Sequence, residues 1–145
     1  YTCQSPESDQ FVPPGRCVVL RTKDASAVWV TSWLLAEYVK HAWAGAWMCS
    51  MFRNESNGRY LSSDLIREAV ACTRWVWPDV PPLGFVTFVD EAKTRRKRDP
   101  GRCYVKAGWS RLQERTKDQN LVVLQLLPEQ MPDPEPPIGA QQALW

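Results

Sequence analysis

The sequence predicts a mixed α/β fold in which a single sheet carries a small number of packed helices. Three observations lead there. Runs rich in β-branched and aromatic residues recur at 16–22, 27–35, 46–54, 84–90, 109–115 and 121–127, each short enough and apolar enough for a strand. One stretch, opened by Ser62-Ser63-Asp64 and stopped by Pro78, repeats apolar residues at helical spacing. The resulting order, β-β-β-α-β-α-β-β, has a strand–helix–strand centre that asks for a parallel pair, flanked by antiparallel hairpins.

The totals fit one domain. The chain has 145 residues, 44% hydrophobic and 23% charged, enough for one core and not for two. Eight Trp are many for this length, and such side chains must be buried or bind something. The net charge is +2, and the segment from Glu129 onward carries three acids and no base. The rest of the chain is therefore basic, about +5 by count, which suits an anionic ligand and is too weak to establish a nucleic-acid binder. The five cysteines show no C-x-x-C spacing and there is one histidine, His41. A scattered odd set argues for reduced thiols and a cytoplasmic protein, with no metal site expected. The uncharged run from Ala42 to Phe52 is too short to span a bilayer, so no membrane association is expected.

Along the chain, residues 1–15 are polar and Pro-rich and read as an irregular lead-in. Arg16–Thr22 and Ala27–Leu35 read as a hairpin around Lys23-Asp24-Ala25-Ser26. After an ambiguous stretch from Ala36 to Trp43, Ala46–Asn54 reads as a third strand with Trp47, Cys49 and Met51 on one face. Glu55–Arg59 is a loop with Asn57-Gly58 as its turn signal. In the helix that follows, Leu65, Ile66, Ala69, Val70 and Thr73 share a face; Ser62 or Ser63 supplies the N-cap oxygen, and Asp64 favours the positive helix end. Gly84–Asp90 is a strand, Glu91–Arg98 a basic connection. Asp99-Pro100-Gly101 opens a short helix that Gly108 closes. Trp109–Arg115 and Leu121–Leu127 form the last hairpin, and residues 128–145, with five prolines, read as an extended or flexible tail.

The run Tyr104-Val105-Lys106-Ala107-Gly108-Trp109, together with the element order, resembles the GNAT acyltransferase superfamily over residues 16–127. The spacing matches that family's Tyr-x-x-x-Gly-Phe signature with Trp in place of Phe. FRNES at 52–56 and LSSDLIREA at 61–69 are similar to GNAT-like proteins of bacteria and their phages. The resemblance implies a GNAT-like core whose first strand and paired acceptor-side helices are short or missing, acetyl-CoA or another acyl-CoA as cofactor, and an amine acceptor of unspecified identity. It implies that Tyr104 protonates the departing thiolate, and that backbone near Ser50, Met51 and Phe52 polarises the acyl carbonyl. It implies that the loop from Arg53 to Ser63 meets the pyrophosphate, with Arg53, Arg59, Ser62 and Ser63 as its contacts. Arg96 and Lys97, in the basic run Lys93–Arg98, would then hold a further phosphate. Glu55 and Asp90 are the candidate general bases.

The residues themselves leave alternatives open. Tyr104 is equally readable as a packed helix aromatic, and the glycine-rich loop usual in the family is absent here. The basic run is readable as a solvated loop or as a contact for a nucleic-acid backbone, and Trp33, Trp43 and Trp47 as core or as a stacking group. The leading expectation is an acyl-CoA-dependent N-acyltransferase acting by direct attack on the thioester. The alternatives are a nucleobase-modification enzyme on the same fold and a non-catalytic binding module.

Overall fold

The computed structural model describes residues 2–3, 15–34, 43–90, 101–116 and 119–137. Among these residues it is a mixed α+β structure of one sheet and two helices. Its elements are β1 (Thr2–Cys3), β2 (Gly15–Arg21), β3 (Ala27–Leu34), β4 (Trp47–Asn54), α1 (Ser62–Val76), β5 (Phe85–Val89), α2 (Arg102–Lys106), β6 (Ser110–Arg115) and β7 (Val122–Leu126), then a 3-10 turn at Pro128–Gln130. The sheet has seven strands in the order β1-β2-β3-β4-β5-β7-β6. All neighbours are antiparallel except β4 and β5, which α1 connects in parallel. The element order read from the sequence is present, preceded by the two-residue strand β1 that the lead-in was not expected to contain.

The β2–β3 hairpin turns where the sequence places its polar residues. Asp24 organises it: its carboxylate accepts from the Thr22 hydroxyl at 2.8 Å, the Ser26 hydroxyl at 2.7 Å and the Ser26 amide at 3.1 Å. These bonds, Ser26 foremost, hold the Asp24 carboxyl down at about 2. They also support Ala25 in the left-handed region, φ 59°.

The main core lies between the sheet and the two helices. Trp29 is fully buried at its centre, with the rings of Phe52, Phe85, Tyr104 and Trp109 at 5.6, 5.9, 6.5 and 6.5 Å. The predicted face of α1 packs onto it: Leu65, Ile66, Ala69, Val70 and Thr73 are all buried, and each large aliphatic contributes about 1.5–3 kcal/mol by leaving water. A buried chain of hydrogen bonds runs through it, although the indole nitrogens of Trp47 and Trp109 have no partner among the described residues. Trp29 Nε1 donates to Thr31 Oγ1 at 2.6 Å, Thr31 and Thr73 hydroxyls meet at 3.0 Å, and the Thr73 hydroxyl donates to the Ala69 carbonyl at 2.8 Å. The opposite face of the sheet carries a smaller cluster of Trp43, Ala46, Val86 and Val123.

Strand β4 departs from simple alternation. Val30 pairs with Met51 but Thr31 pairs with Cys49, so Ser50 is an extra residue, a β-bulge. Trp47 and Cys49 face the helices before it. After it Phe52 does so, packing on Trp29 and Tyr104. This corrects the expectation that Met51 shares a face with Trp47 and Cys49: one inserted residue reverses the parity of everything downstream. Trp33, Trp43 and Trp47 are likewise not one group. Trp33 and Trp47 cluster with Trp77 on the helix side, at 5.4–6.0 Å, whereas Trp43 packs on Phe88 on the other.

Two further expectations change. The N-cap of α1 is Leu61, and no side chain caps the helix; the Ser62 hydroxyl instead accepts from Asn54 Nδ2 at 3.0 Å. The segment after β7 docks for its described part. Met131 enters the core, the Glu135 amide donates to the Ala71 carbonyl at 3.1 Å, and Arg74 Nη1 donates to the Pro132 carbonyl at 2.6 Å. Residues 138–145 lie outside the described residues. No helix among the described residues is long and apolar enough to cross a membrane.

Candidate active site

The site is built where β4 and β5 part. The two strands pair only at Trp47–Phe85 and Met48–Val86, after the Trp47 amide has bonded the Gly84 carbonyl at 2.9 Å. Beyond that point β4 follows β3 and β5 follows β7. At the branch the next β4 carbonyl, that of Cys49, accepts from the Thr87 hydroxyl at 3.2 Å. A side chain thus replaces the ladder bond, and the bulge at Ser50 follows at once. Parting of parallel strands frees their backbone toward the carboxyl ends, the side on which ligands usually bind in open parallel sheets.

Tyr104 comes to this branch from α2. Its hydroxyl lies 3.5 Å from Cys49 Sγ, and the residue is 8% exposed. Burial, then the neighbouring Cys49, pushes the phenol well above its ordinary range; burial likewise pushes the Cys49 thiol up to about 12. Both groups are neutral at physiological pH, so Tyr104 keeps a proton it can donate.

The local sequence explains how Tyr104 is held. Trp109 N–H bonds the Tyr104 carbonyl at 3.0 Å and Gly108 N–H bonds the Val105 carbonyl at 3.0 Å, with Gly108 at φ 99°. This is the reciprocal pair of a helix C-terminus closed by a left-handed residue. The apolar contact that accompanies that motif is the Tyr104–Trp109 ring pair, 5.1 Å between centroids. The spacing Tyr-x-x-x-Gly-Trp is therefore in the first place a helix-stop signal. At the other end of α2, Gly101 has φ 80°, and a Cβ there would lie 2.7 Å from Leu124 Cδ1.

The remaining site candidates distribute as follows. Glu55 and Asp90 each directly follow one of the two parted strands. Glu55 is exposed and 3.7 Å from Arg53, also exposed. Met51 and Phe52 follow the bulge, half-buried. Arg59, expected at a phosphate, is ion-paired with Asp24 of the β2–β3 turn. Its anion is thus supplied by the chain, because the tight β2–β3 turn brings that carboxylate beside the loop. Ser62 and Ser63 stand in the first turn of α1, half-buried. Arg96 and Lys97, the whole Lys93–Arg98 run and His41 lie outside the described residues.

Asn54 is the residue that sequence reasoning missed. Its Nδ2 donates to the Tyr60 carbonyl and to Ser62 Oγ, both at 3.0 Å, while its Oδ1 accepts from the Ser56 amide at 3.1 Å and the Ser56 hydroxyl at 2.6 Å. Ser56 Oγ in turn accepts from the Tyr60 amide at 3.1 Å. One amide side chain thereby folds the loop back on itself and delivers the chain to α1, with Asn57 and Gly58 both at positive φ. The signal in the sequence is an Asn two residues before a Ser, followed by a turn dipeptide. With no side-chain cap, the first-turn amides of α1 remain donors at a positive helix end.

Comparison of the chain with protein-family models, curated proteins and solved structures gave no match.

Proposed function

We propose that the protein is an acyl-CoA-dependent N-acyltransferase of the GNAT type, acting on an amine. The observation that carries this reading is the parting of β4 and β5 beside a buried, protonated Tyr104. Three others support it. The parting is immediately followed by a bulge at Ser50; an inserted residue drops a backbone group out of the ladder, the kind of donor that polarises an acyl carbonyl. Strand β4 leads through a short loop to the uncapped start of α1, a site suited to phosphate. The strand order, two antiparallel hairpins around one parallel pair, is compatible with such a core.

An acyl thioester brings the activated carbonyl. The chain's own part is to hold a proton at Tyr104 Oη for the departing sulfur, and to offer a carboxylate, Glu55 or Asp90, for the proton of the attacking amine.

The test is thermal stabilisation of the full chain by acetyl-CoA, followed by the Tyr104→Phe variant. A ligand at about a hundred times its Kd stabilises by about 2.7 kcal/mol. Tyr104→Phe is expected to keep that stabilisation and lose about a hundredfold or more in turnover. Absence of any shift at millimolar acetyl-CoA overturns the reading.

A further inference from the structure

Helix α2 is five residues long, too short to persist on its own hydrogen bonds. Its C-terminal carbonyls are nearly all taken within the chain turn: Cys103 and Tyr104 receive the Ala107 amide, Tyr104 also receives Trp109, and Val105 receives Gly108. The Lys106 carbonyl is left over by that pattern. Arg67 fills it, donating from Nη1 at 2.9 Å. The other terminal nitrogen of the same guanidinium, Nη2, holds Asp64 Oδ1 at 2.6 Å. Asp64 lies in the first turn of α1, so one planar group joins the start of α1 to the end of α2. A guanidinium can do this because its nitrogens form a rigid fork, and a cation at a helix C-terminus is favourable in itself.

We propose that Arg67 is a positioning residue that fixes α2, and with it the Tyr104 hydroxyl, against the start of α1. The clamp rests on the acyltransferase reading only for the consequence it has on turnover. Cys49 of β4, Thr87 of β5 and Cys103 of α2 lie beside the Tyr104 hydroxyl.

The experiment is native-state hydrogen exchange on the full-length chain, comparing wild type with Arg67→Met and Arg67→Lys. In Arg67→Met the amides of Tyr104, Ala107, Gly108 and Trp109 are expected to exchange about threefold to tenfold faster, the loss of one charge-assisted bond at an exposed site. Amides inside α1 keep their wild-type rates. Arg67→Lys, which retains the charge but not the fork, recovers part of the protection. In turnover, kcat falls in Arg67→Met while KM for acetyl-CoA holds. Unchanged exchange in α2, equal acceleration throughout α1 and α2, or faster exchange with kcat unaltered each overturns the proposal. The exchange measurement needs no acetyl-CoA. A protein that ignores acetyl-CoA yet loosens α2 in Arg67→Met therefore refutes the activity and keeps the clamp.

Discussion

Raising the pH tests the burial of Cys49 and Tyr104 directly. The folded protein keeps the Cys49 proton from its ordinary value of 9.0 up to about 12, whereas the unfolded chain releases it near 9. Between those values the native state binds more protons than the unfolded state, so stability falls as pH rises. The contribution is fully present below about pH 9. Each pH unit above that removes about 1.4 kcal/mol for one such group, so by about pH 11 Cys49 alone costs about 3 kcal/mol. Tyr104, whose phenol is also held up by burial, adds in the same direction above its ordinary value of 10.0. Against a total stability of about 5–15 kcal/mol for a domain, the loss is large. Urea midpoints measured from about pH 8 to 11 should fall steeply above 9. Cys49→Ala should be less stable at neutral pH, from its small cavity, but should lose less on the way to about pH 11. Equal pH slopes for wild type and Cys49→Ala would show that the thiol is not held neutral in the fold.

Two other perturbations follow from packing. Gly84 has φ 68° and a Cβ there would sit 2.0 Å from the Leu126 carbonyl oxygen, so Gly84→Ala must displace β7 from β5 in addition to its left-handed strain of about 1–2 kcal/mol. A loss of at least about 3 kcal/mol is expected, read as a drop in Tm of roughly 6–12 °C; a shift of about 1 °C would contradict the close approach. Met131, at 9% exposure in the main core, is expected to cost about 2–4 kcal/mol as Met131→Ala, measured by chemical denaturation. A change below about 0.5 kcal/mol would show that the segment after β7 contributes no packing.

The parts of this molecule that follow from local periodicity were legible in the sequence. Strands β2 to β7 and helix α1 fall within a few residues of their expected limits, and Gly108 ends α2 as its position suggests. What was not legible depends on side chains meeting across the fold. Nothing local distinguishes Ser50 as an inserted residue, yet it decides which of Met51 and Phe52 faces Trp29. Arg59 in isolation is a free cation near a helix start; only the sheet brings Asp24 to it. The Pro-rich run after β7 has few apolar residues, and its attachment rests on Met131 and on backbone bonds that composition does not reveal. For Tyr104 the sequence offered a helix-stop pattern, and the fold realises it with the ring packed on Trp109.

The bulge at Ser50 also divides β4 into two reading frames. The upstream half is phased by Trp47 and Cys49, the downstream half by Phe52 and Asn54, and the offset between them is a single residue. Deleting Ser50 would merge the frames without turning any side chain over: Cys49, Met51 and Phe52 would still oppose Thr31, Val30 and Trp29, and only the bulge would be lost. The irregularity beside Tyr104 thus depends on the length of β4, whereas the facing of Phe52 and Asn54 does not.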